Sequence, residues 1–225
     1  MFGVYAVVYY FRRTPDHPHY ILEEILLSQP LILLFLGCLY IVLFGGLSLM
    51  RREGLSGHFA VEAIALTLVA SALAAMNLFS IHPVLFLILL YLATMRVRLL
   101  VDVGNFFAMR GQSDQARWWY SLAERVWPDS TTRMIVRINR GALHLQLGDP
   151  DQAICIFREI LANAPFGRLG MKYEAAAHYN LGMAYRRKGL DSQAIREFNA
   201  AIDAWPASEY ARRAVAALEQ VRSKK

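Results

Sequence analysis

The sequence predicts an all-α protein in two parts: three helices able to cross a membrane, then three helical hairpins in tandem closed by a last helix. Three observations predict this. Two long stretches of the N-terminal half carry no charge, most charged residues fall in the C-terminal half, and one pattern of glycine, alanine, aromatic residue and proline recurs there three times.

Composition sets the frame. Of 225 residues, 56% are hydrophobic and only 19% charged, which is too apolar for an ordinary soluble domain. Residues 1–95 hold four Lys/Arg and five Asp/Glu, a net of −1, and residues 96–225 hold twenty and thirteen, a net of +7, which together give the overall +6. The basic residues are scattered among acids, a pattern that argues against a nucleic-acid partner. Positive charge beside a bilayer instead marks the cytoplasmic face. Cys38 lies in the apolar half and Cys155 in the polar half, without metal-type spacing, so neither a disulfide nor a metal site is expected. No cofactor is expected either, since the chain has no phosphate-binding glycine loop, paired-carboxylate site or Cys/His cluster.

Residues 1–30 form an N-terminal segment. Its opening "MFGVYAVVYYF" is too short to span, and Arg12 and Arg13 follow it, so it lies in the interface or docks on the other helices. Residues 31–98 form the transmembrane domain, with spans at about 31–50, 59–78 and 82–98. The first, "LILLFLGCLYIVLFGGLSLM", is long enough for a hydrocarbon core of about 30 Å at about 1.5 Å per residue. It starts too late and runs too long for a cleaved signal peptide, and "RRE" ends it. From Ala63 to Met95 no Asp, Glu, Lys or Arg occurs in 33 residues. "NLFSIHP" divides that stretch into a hairpin of two spans. Arg51, Arg52, Arg96 and Arg98 then share one face, which puts the C-terminal half in the cytoplasm. The compact chain, without a eukaryotic targeting pattern, favours a bacterial inner membrane.

Residues 97–206 hold the three repeats, at about 97–130, 131–166 and 175–207. The matched positions are Gly104/Gly111/Ala116/Tyr120/Pro128, Gly141/Gly148/Ala153/Phe157/Pro165 and Gly182/Gly189/Ala194/Phe198/Pro206. The first glycine allows two helices to approach closely, and the second ends helix A in a left-handed cap. The alanine lets helix B press on helix A, the aromatic fills the core between neighbouring hairpins, and proline stops helix B. Residues 208–225 form an amphipathic capping helix with a basic tail, Lys224 and Lys225.

This array resembles the tetratricopeptide repeat, with five coincident positions in three copies. The copies lie 37 and 41 residues apart, so loops lengthen at "DSTTRM" and "FGRLGM". The resemblance implies a three-repeat solenoid whose concave face, lined by helix-A side chains, binds a segment of a partner protein. The corresponding residues are Val101, Asn105, Ala108 and Met109, then Ile138, Asn139, Ala142 and Leu145, then Tyr179, Met183, Arg186 and Arg187. This lining is apolar with some amide and basic at one end, which suits a partner with apolar anchors and an acidic end. Some members of the family clamp a C-terminal carboxylate; Asn105, Asn139 and Arg186 echo that set, but Val101 stands where a lysine is wanted, so packing of helix pairs is the better reading of the asparagines.

Other motifs have competing readings. "GLSGH" at Gly54 to His58 resembles the serine motif of rhomboid intramembrane proteases, with Ser56 as nucleophile. That fold needs six spans and a histidine on a later span, whereas His82 falls in the opposite turn. A small-residue loop explains the string without chemistry. His58 and Glu62 share a helical face suited to a metal or proton relay, against which Glu62 can snorkel to headgroups or pair with Arg51 or Arg52. "DHPH" at Asp16 to His19 reads as a turn, and His144 and His178 as packing. In "RWWY", Trp118 and Trp119 exceed what the repeat needs, as an interfacial anchor or as packing under the loop. Trp127 and Trp205, each before a terminal proline, read as repeat packing.

The function expected is that of a membrane-anchored scaffold or adaptor, not an enzyme, which recruits or assembles membrane-associated protein partners at the cytoplasmic face. Its bundle is small enough to leave room for a homo-oligomer. The alternatives are a small subunit of a transport or signalling complex acting through Glu62 and His58, and a protease remnant built on Ser56.

Overall fold

A computed structural model describes residues 28–50, 57–163 and 170–222 of the chain. All regular structure in them is helical: α1 (Gln29–Met50), α2 (Gly57–Ala75), α3 (Pro83–Met109), α4 (Ser113–Arg125), α5 (Ser130–Gln146), α6 (Pro150–Asn163), α7 (Met171–Arg187), α8 (Asp191–Ala204) and α9 (Glu209–Arg222). The N-terminal "MFGVYAVVYYF" and "DHPH", Arg51, Arg52, Ser56, Pro165 and the terminal lysines lie outside the described residues. The chain divides into two compact units, residues 1–42 with 61–90 and residues 43–60 with 91–225.

The helices α1, α2 and α3 are long and apolar enough to cross a membrane. The first unit has an apolar exterior around a mostly apolar interior that includes Leu33, Tyr40, Phe86 and Leu90. Thr67 and Ser71 are buried, while Phe35, Val42, Val61, Leu68, Val69 and Val84 stand exposed. Inside, the two polar side chains are satisfied: Thr67 donates to the Ala63 carbonyl at 2.7 Å and Ser71 to that of Pro30 at 2.7 Å. Gly37 of α1 lies so close to Thr67 of α2 that an added Cβ would stand 2.3 Å from its side chain. A glycine at such a contact lets the two helix backbones approach closely. At the other end Gln29 Nε2 donates to the Ile81 carbonyl at 2.8 Å and Ser80 Oγ to Gln29 Oε1 at 3.2 Å.

Two boundaries differ from the sequence expectation. The second helix stops at Ala75, short of residue 78, because Asn77 adopts a left-handed conformation (φ 54°). The Leu78 amide then reaches the Leu73 carbonyl and the Asn77 amide that of Ala74, closing a Schellman cap. The third helix does not stop near residue 98. It contains neither glycine nor proline between Val84 and Val103, and it continues unbroken to Met109 as helix A of the first hairpin.

In the second unit the hairpins are α3 (its C-terminal part) with α4, α5 with α6, and α7 with α8. Each helix A ends at the second glycine of its set: Gly111, Gly148 and Gly189 have φ of 74°, 78° and 72°. Each closes the same cap, as in the Asp149 amide donating to the His144 carbonyl and the Gly148 amide to that of Leu145. The first glycine of each set carries the other contact. A Cβ on Gly104 would stand 2.4 Å from the Tyr120 ring, one on Gly141 2.7 Å from Phe157, and one on Gly182 2.7 Å from Phe198. The aromatic of helix B therefore lies directly on the helix-A glycine of its own hairpin. The three rings are buried, with Ala116, Ala153 and Ala194 buried beside them.

Helix-A elements also stack along the array, α5 on α7 and α7 on α9. One core gathers Val97, Val101, Tyr120, Ile135, Val136 and Leu143; the other runs from Ile138 through Phe157, Leu181 and Phe198 to Leu218 of α9. Ser208 opens α9, its hydroxyl accepting from the Ala211 amide at 2.9 Å. Ala211, Ala214, Ala217, Leu218 and Val221 are buried, while Arg212, Arg213 and Glu219 face out. This is the one-sided pattern of an end cap.

Candidate functional site

The helix-A positions expected to line a groove have different fates. Val101, Ile138 and Leu145 are buried in the cores. Asn105 is turned into its own hairpin, its Oδ1 accepting from the Tyr120 hydroxyl at 2.7 Å. Asn139 Nδ2 donates to the Ile135 carbonyl at 2.8 Å. Tyr179 is half-buried, 6.0 Å from both the Phe198 and the Tyr210 rings. Met183 is half-buried against the second core, and Arg186 donates to Gln220 of the capping helix at 3.0 Å. Ala108 and Ala142 are half-buried, whereas Met109 and Arg187 are exposed. The three side chains that echo a carboxylate clamp, Asn105, Asn139 and Arg186, are each hydrogen-bonded within the chain. Of the expected positions Met109 and Arg187 are exposed, and in the second hairpin Ala142 is the one that is not fully buried or hydrogen-bonded within the chain.

The Asn105–Tyr120 bond had a signal in the sequence. The residue after the first glycine is Asn105 in the copy whose aromatic is tyrosine, and Ala142 or Met183 in the copies with phenylalanine. Burial pushes the Tyr120 hydroxyl up to about 12, because a phenolate would lose water there. Tyr210 is raised for the same reason.

Charged pairs, which sequence reasoning missed, lace successive helices together. Arg140 of α5 meets both oxygens of Glu124 of α4 at 2.8 and 2.7 Å. Arg137 of α5 pairs with Glu159 of α6, and its hydrogen bond and charge hold the Glu159 carboxyl below the usual range. Lys188, just past α7, pairs with Asp151 of α6. His178 of α7 meets Glu197 of α8 at 2.8 Å, and His144 meets Asp149 at 3.2 Å. Partly or fully solvated pairs of this kind align the helices more than they stabilise them. A cleft of about 300 Å³ between Arg117, Arg140, Leu143, His144 and Leu147 is neutralised by the same pairs, Arg117 itself facing Asp114 at 3.8 Å.

In α2, His58 is exposed and Glu62 half-buried. Among the described residues no three His, Cys, Asp or Glu side chains converge to hold a metal. In "RWWY", Trp119 stacks on Phe107 at 6.3 Å with planes 8° apart, and Trp118 meets Trp119 edge-on at 4.8 Å. Trp127 departs from the packing role expected of it: it is 86% exposed. The cause is local. Its φ is 52°, and Arg96 donates to the carbonyls of Val126 at 3.0 Å and Trp127 at 3.5 Å. Trp205, its counterpart in the third repeat, has φ −157° and is half-buried.

Residues 175–208 match the family model of the tetratricopeptide repeat. That stretch is the third hairpin, from Ala175 in α7 through α8 to Ser208. No curated protein matches the chain at a significant level. The class so defined is an all-α protein with three apolar helices of membrane-spanning length, followed by a helical repeat region that contains a tetratricopeptide repeat. Repeats of this kind are protein-interaction modules.

Proposed function

We propose that the protein is a membrane-anchored adaptor: α1, α2 and the first part of α3 hold it in a bilayer, and the repeats bind partner proteins at the cytoplasmic face. The observation that carries the reading is the pairing of two kinds of surface in one chain. On the helices of spanning length large apolar side chains face outward, and the buried hydroxyls of Thr67 and Ser71 are hydrogen-bonded, as lipid demands. The hairpin stack has the ordinary soluble arrangement. Three copies of the ring-on-glycine contact, one of them in the stretch that matches the family, support a docking role for the stack.

The docked segment has apolar anchors for Met109 and Ala142 and an acidic group for Arg187. Confinement to the membrane raises the local concentration of a partner that is itself membrane-bound, so a shallow groove with modest affinity is sufficient for recruiting or assembling a membrane complex. The test is co-purification from native membranes in mild detergent, comparing the full chain with Ala142→Arg/Arg187→Glu. Ala142 is partly accessible and Arg187 exposed, so the far-ultraviolet dichroism should not change. Loss of specific partners from the variant is the expected result. Equal recovery from both proteins would move the function away from this face.

A further inference from the structure

We propose that Trp127 is a membrane-interface anchor, seated in the headgroup region of a phospholipid bilayer and held there through Arg96. The inference rests on the membrane reading above and adds a specific contact to it. Four observations converge on this residue.

Arg96 is the first charged residue after the 33-residue uncharged run from Ala63 to Met95, so it marks the level at which α3 leaves apolar surroundings. The same guanidinium donates to the carbonyls of Val126 and Trp127, which brings the loop after α4 to that level. Trp127 holds its indole out with a left-handed backbone, an unfavourable conformation for a bulky residue. Trp205 has the same following proline, has no such arginine, and keeps an extended backbone with its ring half-buried. Finally, the loop is flanked by exposed Arg125 and Arg133, while Asp129 is committed to capping α5 through the Thr132 amide at 2.7 Å.

An indole with one apolar body and one N–H donor, flanked by cations, matches the boundary between acyl chains and anionic headgroups. Trp118, also exposed, meets Trp119 edge-on, and Trp119 in turn stacks on Phe107.

The experiment uses the full chain in vesicles of phosphatidylcholine and phosphatidylglycerol. A single-tryptophan protein, Trp118→Phe/Trp119→Phe/Trp205→Phe, leaves Trp127 as the only indole, and a companion protein keeps only Trp205. The phenylalanine at 119 retains a ring against Phe107. Lipids brominated near the headgroup end of the acyl chains should quench most of the Trp127 emission, with little effect from bromine near the terminal methyl and none on Trp205. In the otherwise native chain, Trp127→Phe should remove the fraction that shallow bromine quenches.

Trp127 emission unaffected by either lipid, whether water-like or blue-shifted under a protein surface, would overturn the assignment, as would quenching by the deep bromine alone. Flotation with the vesicles separates the two levels of inference. A chain that fails to float refutes the membrane reading, whereas one that floats with an unquenched Trp127 refutes only the anchor.

Discussion

Replacing Gly141 with alanine tests the central contact of the repeat. The new methyl would stand 2.7 Å from Phe157 Cζ and 3.0 Å from both Cε atoms. Carbon atoms pack best at about 3.5–4.0 Å, so the ring must retreat by about 1 Å, yet Phe157 is fully buried and close-packed interiors resist such shifts. Overpacking of this kind costs about 2–3 kcal/mol. Alanine recovers about 1 kcal/mol over glycine in a helix interior, which leaves a net destabilisation of about 1–2 kcal/mol. Shortening the ring, as in Phe157→Leu, removes the obstacle, and Gly141→Ala in that background should then stabilise by the remaining propensity gain of about 1 kcal/mol. The sign of the effect therefore reverses between the two backgrounds. All four tryptophans, Trp118, Trp119, Trp127 and Trp205, lie in the repeat half, so urea titration in mild detergent followed by indole fluorescence reads the repeats selectively. An equal cost in both backgrounds, within the ~0.5 kcal/mol expected of independent sites, would refute the ring-on-glycine account.

Three further outcomes follow from the same geometry. Gly148→Ala meets no atom within 4 Å but has φ 78°, so its cost of about 1–2 kcal/mol is purely conformational and should be the same with Phe or Leu at position 157. Asp129→Ala removes the acceptor for the Thr132 amide and should lower the urea midpoint by the equivalent of about 1 kcal/mol. Tyr120→Phe breaks the bond to Asn105 for about 1 kcal/mol. It also alters the alkaline limb. The folded Tyr120 hydroxyl lies at about 12 against an ordinary 10.0, so its contribution is complete below pH 10 and is lost as pH rises through 12. The variant should lose less stability across that window, with the raised Tyr210 hydroxyl leaving a residual slope. An unchanged alkaline limb would contradict the assignment.

Much of the architecture was legible because two patterns dominate: absence of charge over spanning lengths, and small residues placed where a ring or a turn must fit. Spacing alone picked out Gly104, Gly141 and Gly182 and the rings of Tyr120, Phe157 and Phe198, though it set the rings between neighbouring hairpins rather than on the glycine of their own hairpin. What spacing could not supply was the environment of each helix-A position. Val101, Ile138 and Leu145 sit on the same helices as Met109 and Ala142, and only the stacking of one hairpin on the next decides which of them is covered. The end of helix α3 was illegible for a related reason. No glycine or proline breaks α3 between Arg96 and Val103, so a polar helix simply continues an apolar one. Trp127 and Trp205 show the limit most directly: the same Trp-Pro pair takes opposite conformations, and the residue that decides between them, Arg96, is distant in sequence.

The close fit of α1 on α2 has a consequence for biosynthesis. α2 is the least apolar of the three membrane-length helices and carries Glu62, Thr67 and Ser71. A ribosome delivers α1 first, so Gly37 and the Pro30 carbonyl already await Thr67 and Ser71 when α2 emerges. On the membrane-anchored reading proposed above, the first helix of a nascent chain serves as a template that shields the second from unfavourable exposure to lipid. Enlarging Gly37 would then act during translation, as a failure of α2 to integrate, before any folded protein existed to be destabilised.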